Sequence, residues 1–464
     1  MRFNSFDFLV FFALVFAAYW RLPQRGQNLL LLGASYVFYG WVHPWFLYML
    51  VGSTVMDYWA ARGMERFPAR RRLLLRLSLA GNLGLLATFK YFDFFVVNVS
   101  ELLAHFDLHP SLPMLRVALP VGISFYTFQS LTYTIDVYRG ELAPRRSFLD
   151  FALFVTMFPQ LVAGPIERAK RLLPQIERDR TLDFARLESG VCLAVWGFFK
   201  KLVIADNIVI YADRIFELKH PAGPMIAAGA AAFALQIYAD FSAYTDIARG
   251  TARLLGFELM ENFRAPYLAT SPSDFWRRWH ISFSSWIRDY VYLPLGGSRA
   301  GRARFAFAAM TAMTLSGLWH GASWNFALWG VYHGVLVVLY HLLFREVGRR
   351  LAARLGDGLV TVLAVGAMFP LTLLGWLIFR QQDFSMLATY ARTPPLAAAP
   401  EEWSTALGVL ALTAGLALPM LVRPLVLSLA PGSRAVRAGL AWCCLLAIVF
   451  LARETGQDFI YFAF

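Results

Sequence analysis

The chain has 464 residues, of which 58% are hydrophobic and only 16% are charged, and its mean hydropathy is +0.52. A soluble protein of this length could not bury so much apolar surface, so the composition excludes a soluble globular protein and favours an integral membrane protein. Basic cytoplasmic loops that lie against anionic lipid headgroups explain the formal net charge of +13. No soluble face combines basic residues with stacking aromatics, so we expect no nucleic-acid partner.

Apolar stretches recur along the chain at the length of membrane helices. A helix needs about 20 mostly apolar residues to cross about 30 Å of hydrocarbon. The candidate stretches lie near residues 6–20, 28–42, 45–61, 77–98, 114–138, 187–213, 224–250, 306–343, 359–379, 403–422 and 438–452. They predict an all-α integral membrane protein with ten to twelve transmembrane helices in a single domain that covers residues 1–464.

The distribution of arginine predicts the orientation in the membrane. The connection at 62–76 holds six arginines, whereas the connections on either side of it, at His43-Pro44 and at 99–113, hold neither Lys nor Arg. Short basic loops stay on the cytoplasmic side. We therefore expect a cytoplasmic 62–76 connection, and alternation from there places the N-terminus on the periplasmic side of a cell inner membrane.

Two apolar segments, 147–166 and 306–343, do not suit single crossings. Each has basic connections on both sides, so one crossing would leave one of those connections on the wrong side of the membrane. Irregular backbone at membrane depth occurs only inside protein or beside a water-filled cavity. The pattern therefore predicts that both segments are re-entrant and that they border an internal cavity or tunnel.

Residues with possible chemistry concentrate between positions 240 and 333. Asp240 and Asp246 lie within an apolar span, where charged groups usually face the interior of the bundle or water. Further along, Asp274 precedes Arg278 by one helical turn and Arg288 adjoins Asp289, so ion pairs are expected.

His320 is the main candidate for a catalytic base. It lies in the string LWHGASWN, in the middle of the second re-entrant segment, and the small residues Gly321 and Ala322 leave space beside it. An imidazole with an ordinary pKa near 6.5 accepts a proton at neutral pH. The residues alone leave open whether His320 is catalytic or makes a structural contact, and we interpret His333 and His341 as polar contacts between helices.

Several long strings resemble the membrane-bound O-acyltransferases, specifically the bacterial branch that contains the membrane subunit of alginate O-acetylation. The strings are FWRRWHISFSSWIRDYVYLPLGGSR at 275–299, LSGLWHGASWNFALWGVYHG at 315–334, VGISFYTFQSLTYTIDVYRG at 121–140, FPQLVAGPIERAK at 158–170 and DFSAYTDIARG at 240–250. The resemblance covers most of residues 28–340. It implies transmembrane helices and re-entrant segments around a central catalytic tunnel.

The resemblance also implies an activity and its residues. The histidine of the WHG string, here His320, would be the catalytic residue, and the histidine of the RRWH string, here His280, would be a second site residue. His320 would accept the proton of an attacking hydroxyl, which then takes an acyl group from a thioester. Asp289 or Asn325 would help His280 to position the donor or polarise its carbonyl.

The donor would be acetyl-coenzyme A or an acyl carrier protein, with no metal and no tightly bound cofactor. Arg277, Arg278 and Arg288 would attract this anionic donor to the cytoplasmic mouth; alternatively, they anchor lipid headgroups and pair with the neighbouring aspartates. Trp319, beside His320, completes the expected set of substrate-binding residues.

Three functions remain for comparison. The LGGSR and ENFRAPY strings favour acetyl transfer to an exported or cell-surface polysaccharide over D-alanyl transfer to teichoic-acid-type polymers. Acetyl groups must then reach sugars outside, so we expect a periplasmic acetyltransferase or handover protein as partner. A membrane transporter would also hold buried charges in a cavity, but it predicts internal repeats with paired broken helices, and we find none in the sequence.

Overall fold

The computed structural model describes residues 1–464 except 42, 116, 118, 119, 121, 162, 163, 300, 454–458 and 461–464. Within the described residues, all regular secondary structure is helical, which confirms the predicted all-α fold. The chain divides into two compact units: the first comprises Met1–Ala194 and Tyr244–Met260, and the second comprises Val195–Ala243 and Glu261–Phe464.

Except for α7, α8 and α9, which lie between two predicted spans, the helices of the first unit follow the predicted apolar stretches. They are α1 (Phe6–Tyr19), α2 (Gln24–Gly40), α3 (Phe46–Arg66), α4 (Arg71–Leu86), α5 (Phe92–Ala104), α6 (Ile123–Arg139), α7 (Phe148–Thr156), α8 (Phe158–Leu161), α9 (Ala169–Glu177) and most of α10 (Phe184–Phe199). A π-helical turn at Ala87–Tyr91 joins α4 to α5.

The second unit carries the strings with possible chemistry. Its helices are α11 (Asp206–Phe216), the first two-thirds of α12 (Gly223–Leu254), α13 (Pro272–Arg278), α14 (Ile281–Ile287), α15 (Arg302–His320), α16 (Trp324–Leu339), α17 (Arg345–Leu355), α18 (Asp357–Arg380), α19 (Phe384–Arg392), α20 (Pro400–Leu429) and α21 (Arg434–Leu451). π-Helical turns occur at Lys200–Ala205, Arg288–Tyr292 and Tyr340–Phe344.

Six helical stretches among the described residues are long and apolar enough to cross a membrane. They are Pro68–Ala104, Gly223–Leu254, Trp324–Leu355, Asp357–Arg380, Pro400–Leu429 and Arg434–Leu451. Phe6–Tyr19 and Phe148–Leu161 are shorter apolar helices. The chain is therefore a multi-pass membrane protein, while crossings beyond these six, the identity of the membrane and the periplasmic N-terminus remain predictions.

The segment 147–166 is broken into short pieces inside the first unit. Helix α7 has nine residues, a length of about 13 Å, and α8 has four. Phe151, Phe154 and Phe158 are fully buried. Neither helix alone is long enough to cross about 30 Å of hydrocarbon, which agrees with a segment that is not an ordinary crossing, and its re-entrant path in the membrane stays a prediction.

The segment 306–343 forms a tight helical hairpin in the second unit. Helix α15 ends at His320, the chain reverses over 321–323, and α16 returns alongside. Glycines make this close approach possible: a Cβ on Gly317 would lie 2.1 Å from the carbonyl oxygen of Phe326, and a Cβ on Gly330 would lie 2.4 Å from that of Met313. The segment is therefore two antiparallel helices and not one continuous helix, and its re-entrant path in the membrane stays a prediction.

Buried charges hold α12 in the second unit. Lys201, only 1% exposed, lies 2.9 Å from a carboxylate oxygen of Asp206 and 2.9 Å from one of Asp240. The backbone N–H of Ile460 donates to the other oxygen of Asp240 at 2.7 Å. Buried charges require partners of this kind, so the expectation that Asp240 faces protein rather than lipid is confirmed.

Candidate active site

His280 occupies an unusual backbone position between α13 and α14. Its φ is +42°, and only two other described residues besides glycines have a positive φ. A left-handed conformation costs a residue with a side chain about 1–2 kcal/mol, and such strain persists only where surrounding contacts impose it. The imidazole is fully buried, with its ring centroid 4.7 Å from that of Phe241.

Asn262 supplies the contacts that impose this conformation. Its backbone carbonyl accepts a hydrogen bond from the N–H of Ile281 at 2.9 Å. Its side-chain oxygen accepts from the backbone N–H of Ser282 at 3.2 Å and from the Ser282 hydroxyl at 2.6 Å. The side chains of Asn262 and Ser282 are fully buried. Asn262 therefore fixes the turn that carries His280 by binding the two residues that follow the histidine, Ile281 and Ser282.

His320 is the last residue of α15 and is 3% exposed. Its ring makes edge contacts with Trp329 of α16, at a centroid distance of 5.1 Å, and with Phe379 of α18, at 5.2 Å. The hairpin turn and two further helices thus enclose the imidazole. Gly321 follows it directly, and a Cβ there would lie 2.2 Å from the ring of Phe326.

One aromatic cluster contains both histidines. Phe283 of α14 lies 5.0 Å from His280 and 6.0 Å from His320, measured between ring centroids. It stacks at 4.2 Å on Trp319, which itself lies 5.7 Å from His280 and 4.9 Å from His320. Residues forty positions apart in sequence are therefore brought together by α14 and the end of α15.

Asn325 lies at the start of α16, fully buried, beside this cluster. Its amide nitrogen donates to the backbone carbonyl of Phe379 at 2.9 Å and lies 3.4 Å from that of Ile378. These bonds tie α16 to the end of α18, whose Phe379 contacts His320. Asn325 therefore positions the wall of the site, and its amide N–H groups would have to leave these carbonyls before they could polarise a donor.

The expected ion pairs form away from the buried cluster. Arg277 and Arg278 contact Asp274 at 3.3 and 2.9 Å, and Arg288 contacts Asp289 at 2.8 Å. The side chains of Arg277 and Arg288 are 69% and 61% exposed. Burial opposes ionisation of Asp274, but the backbone N–H of Thr270 and the Arg278 guanidinium lower its pKa below the usual range.

Asp289 lies in the π-helical turn after α14, and its side chain is 33% exposed. It therefore sits with the exposed arginines, whereas His280 and His320 are buried. The predicted site residues fall into two groups. His280, Trp319, His320 and Asn325 lie in or beside the aromatic cluster, whereas Arg277, Arg278, Arg288 and Asp289 form ion pairs that are exposed or half-buried.

His333 and His341 pack against aromatic rings, whereas polar contacts between helices were expected of them from the sequence. The ring of His333 lies 4.7 Å from Trp329 and 5.1 Å from Trp276, and Gly375 of α18 leaves room for it, since a Cβ there would lie 2.9 Å from its Nε2. His341 packs on Phe305 at 4.2 Å.

Several residues of the site were not predicted from the sequence. Phe241, Phe283, Trp329 and Phe379 form the walls around the two imidazoles. Phe379 follows His320 by almost sixty residues and lies in an ordinary apolar span, so nothing in the local sequence distinguishes it from other buried phenylalanines. Asn262 carried a signal, because it is a polar residue in a string that the family resemblance already included.

The family assignment now rests on direct comparison. The model of the membrane-bound O-acyltransferase family matches residues 114–353, which is slightly more than half of the chain. The chain therefore belongs to this family and is an acyltransferase. The match includes His280, His320 and the ion-paired arginines of the site.

Similar proteins cover most of the chain. It is 40% identical over 395 residues to the probable alginate O-acetylase AlgI of Pseudomonas putida, a match that covers 84% of this chain and 79% of that protein. It is 34% identical to the peptidoglycan O-acetyltransferase of Helicobacter pylori, a match that covers 82% of this chain and 77% of that protein. It is 27% identical to the teichoic acid D-alanyltransferase of Bacillus subtilis, a match that covers 57% of this chain and 69% of that protein.

Proposed function

We propose that this chain moves acetyl groups from a cytoplasmic thioester donor across the inner membrane for the O-acetylation of an exported or cell-surface polysaccharide. The observation that carries the chemistry is the burial of His280 and His320 in one aromatic cluster. Similarity to proteins named for alginate and peptidoglycan O-acetylation supports the acetyl group and the polysaccharide acceptor.

His320 is the general base of the proposed reaction. The acceptor hydroxyl transfers its proton to the imidazole while its oxygen bonds to the acetyl carbonyl carbon. The carbon–sulfur bond then breaks, and the leaving thiolate recovers the proton from His320. The aromatic walls around His320 exclude water, which would otherwise hydrolyse the thioester.

His280 is the second polar group of the proposed site. Asn262 holds the backbone of His280 in a fixed conformation, so the imidazole is preorganised to position the acyl donor or to stabilise the developing oxyanion. Oxyanion stabilisation is strongest when the hydrogen-bonding group needs no reorganisation during the reaction. Asn325 supports this arrangement through α18. Asp289 is a weaker candidate for direct assistance, because it pairs with Arg288 at 33% exposure.

The donor is a coenzyme A thioester or an acyl carrier protein, and both are anionic. Arg277 and Arg288 are well exposed even while paired, so they are available to attract such a donor. On the far side, a periplasmic acetyltransferase or handover protein receives the acetyl group. D-Alanyl transfer is the alternative, supported by the lower similarity to a teichoic acid D-alanyltransferase.

Transfer assays on purified, reconstituted protein test the proposal. Radiolabelled acetyl and D-alanyl thioesters are supplied to proteoliposomes, and the release of label from the thioester, by transfer or by hydrolysis, is measured for the unaltered chain, His320→Ala and His320→Gln. We expect acetyl transfer by the unaltered chain and a loss of at least about 100-fold in both variants, since Gln retains hydrogen bonding but cannot carry the proton.

His341→Gln is the matched control, because His341 packs on Phe305 in the same helical region and is outside the aromatic cluster. It should transfer at nearly the normal rate. Substantial acetyl transfer by a folded His320→Gln protein would refute general-base catalysis by this residue. Transfer of D-alanyl in preference to acetyl would replace the proposed substrate.

A further inference from the structure

A polar cluster lies between the packed helices α3, α4 and α6 of the first unit. Each of these helices contributes two oxygen-bearing side chains four positions apart, a spacing that places both on one helical face. The six residues are Ser53 and Asp57 of α3, Ser78 and Asn82 of α4, and Ser130 and Thr134 of α6. All six are at most 2% exposed, and the proposed acetyl transfer uses none of them.

Asp57 is the acidic member of this cluster, and all its partners are neutral. Its Oδ1 accepts a hydrogen bond from the Ser78 hydroxyl at 2.6 Å, and the Asn82 amide nitrogen lies 3.0 and 2.8 Å from its two oxygens. The Ser130 hydroxyl also faces the carboxylate, and the Ser78 oxygen lies 3.2 Å from that of Thr134. Among the described residues, no Lys, Arg or His forms an ion pair with Asp57, so its ionised carboxylate has no counter-charge.

The cluster also has more hydrogen-bond acceptors than donors. The side-chain oxygen of Asn82 and the hydroxyl of Ser53 are buried without a hydrogen-bond partner. A hydroxyl brings two lone pairs for one hydrogen, and a carboxylate brings only lone pairs. Helix α4 belongs to the candidate span Pro68–Ala104, and a charge buried among such helices is costly unless it has a partner. Buried oxygens around an uncompensated carboxylate therefore favour a bound cation.

We propose that this cluster binds one sodium ion between the Asp57 carboxylate and the neutral oxygens of α4 and α6. Carboxylate, carbonyl and hydroxyl oxygens are the ligands that hard cations prefer. One carboxylate balances one monovalent charge, whereas a divalent ion would leave an excess positive charge in a medium of low dielectric constant. The polar atoms are only 2.6–3.2 Å apart, so a sodium ion displaces them less than the larger potassium ion would.

Sodium binding requires one local change, a rotation of the Asn82 side-chain amide. Rotation by half a turn exchanges the amide nitrogen for the oxygen, which then lies where the nitrogen now contacts the carboxylate at 2.8 and 3.0 Å. Oxygens that carry negative charge repel each other at this distance unless a cation lies between them. The ion would thus give the Asn82 oxygen a partner and join Asp57 of α3 to α4 and α6.

Equilibrium binding of radioactive sodium to the purified full chain in detergent tests the proposal, with N-methyl-D-glucamine chloride holding the ionic strength constant. We expect saturable binding of one ion per chain. Asp57→Asn keeps the shape of the side chain but removes its charge, and it should weaken binding by at least about 100-fold, since loss of a buried charge partner is costly. Thr134→Val removes one oxygen at nearly equal shape and should weaken binding by about ten-fold.

Asp136→Asn is the matched control, because Asp136 is a buried carboxylate of α6 that already has a cation, Lys170, at 3.6 Å. This variant should bind sodium like the unaltered chain.

Thermal melting provides a second readout. The melting temperature of the unaltered chain should rise with sodium until the site is saturated, and that of Asp57→Asn should not. Absence of saturable binding, or unchanged affinity in a folded Asp57→Asn or Thr134→Val protein, would overturn the proposal. A melting temperature that ignores sodium but rises on acidification only when Asp57 is present would also overturn it, because the cluster would then hold a proton.

Discussion

His280 combines a strained backbone with a buried imidazole, and the two properties can be separated by substitution. Asn adopts the left-handed region more readily than most residues, so His280→Asn keeps the turn that Asn262 fixes and removes only the ring. We expect this protein to fold and to lose transfer by about 10²- to 10³-fold, the usual cost of removing an oxyanion-stabilising group. Single-turnover transfer rates in proteoliposomes measure this loss.

His280→Gly is the companion variant, since glycine relieves the strain at φ +42° but supplies no polar side chain. It should be as inactive as His280→Asn. If His280→Asn transferred acetyl groups at nearly the normal rate, the backbone turn and not the imidazole would be the functional feature of this position.

The exposed arginines carry a different prediction. Arg277→Glu and Arg288→Glu reverse charges beside the paired aspartates, at 69% and 61% exposure. If these residues attract the thioester donor, its KM should rise about five- to ten-fold at low salt while kcat changes little, and the dependence of KM on salt should weaken. Initial-rate kinetics over a salt series provide the measurement.

Arg434→Glu reverses an equivalent charge outside the site and serves as the control. Unchanged donor kinetics in folded Arg277→Glu and Arg288→Glu proteins would favour the other interpretation, in which these arginines anchor headgroups and stabilise local ion pairs.

Among individual residues, the sequence predicted the positions of the polar side chains better than the aromatic side chains that surround them. The pairing of Asp274 with Arg278 follows from spacing, His320 was a candidate from its own string, and His280 came from the family resemblance; the roles of both histidines stay predictions. The aromatic walls could not be predicted, because Phe241 and Phe379 reach the site through tertiary packing of distant helices. The contacts of Asn325 could not be predicted either, because its side-chain amide donates a hydrogen bond to the backbone of α18, more than fifty residues away in the sequence.

The α15–α16 hairpin is the element that places His320, and its glycines are the sensitive points. A Cβ on Gly330 would lie 2.4 Å from the carbonyl oxygen of Met313 and 2.8 Å from the Cα of Thr314, so Gly330→Ala must push backbone apart. Overpacking of this kind costs about 1–3 kcal/mol. We expect a lower melting temperature in detergent and reduced transfer, because the Trp329 contact to His320 shifts.

Gly408→Ala in α20 is the matched control, since nothing lies within 4 Å of its added Cβ. Alanine favours a helix over glycine, so this protein should melt at or slightly above the normal temperature. A Gly330→Ala protein that melted and transferred like the unaltered chain would show that the hairpin can separate without consequence for His320.

Helical interruptions mark the limit of prediction for elements. Basic flanks on both sides of 306–343 indicated that this segment is not a single crossing, because the placement of charges can be read from the sequence, but they did not predict the tight contact between α15 and α16. The π-helical turn at Lys200–Ala205 was not predicted. Its residue Lys201 contacts Asp206, which is close in sequence, and Asp240, which lies on α12. The contact with Asp240 depends on how the helices pack, so it could not be predicted from the sequence of the turn.

For the whole molecule, composition and periodicity were sufficient for the fold class, and long strings were sufficient for the family. The prediction of one domain over residues 1–464 stays a prediction, and the division of the chain into two compact units, with α12 contributing to both, was not foreseen. A continuous helix of 32 residues carries no local signal of such a division, because it arises from which neighbours pack against each half.

Orientation in the membrane gives the last prediction. Ala69 lies in the arginine-rich connection, at the beginning of the candidate span Pro68–Ala104, and Ser111 lies beyond the end of that span, so that α4 and α5 separate the two positions. Both positions are exposed. In a chain without its three native cysteines, Ala69→Cys should react with a membrane-impermeant maleimide only after permeabilisation, whereas Ser111→Cys should react in intact spheroplasts. We expect the six arginines at 62–76 to keep that connection in the cytoplasm because basic loops resist translocation. The reverse labelling pattern would place the arginine-rich connection outside, and the thioester donor would then have to reach His320 from the other side of the protein.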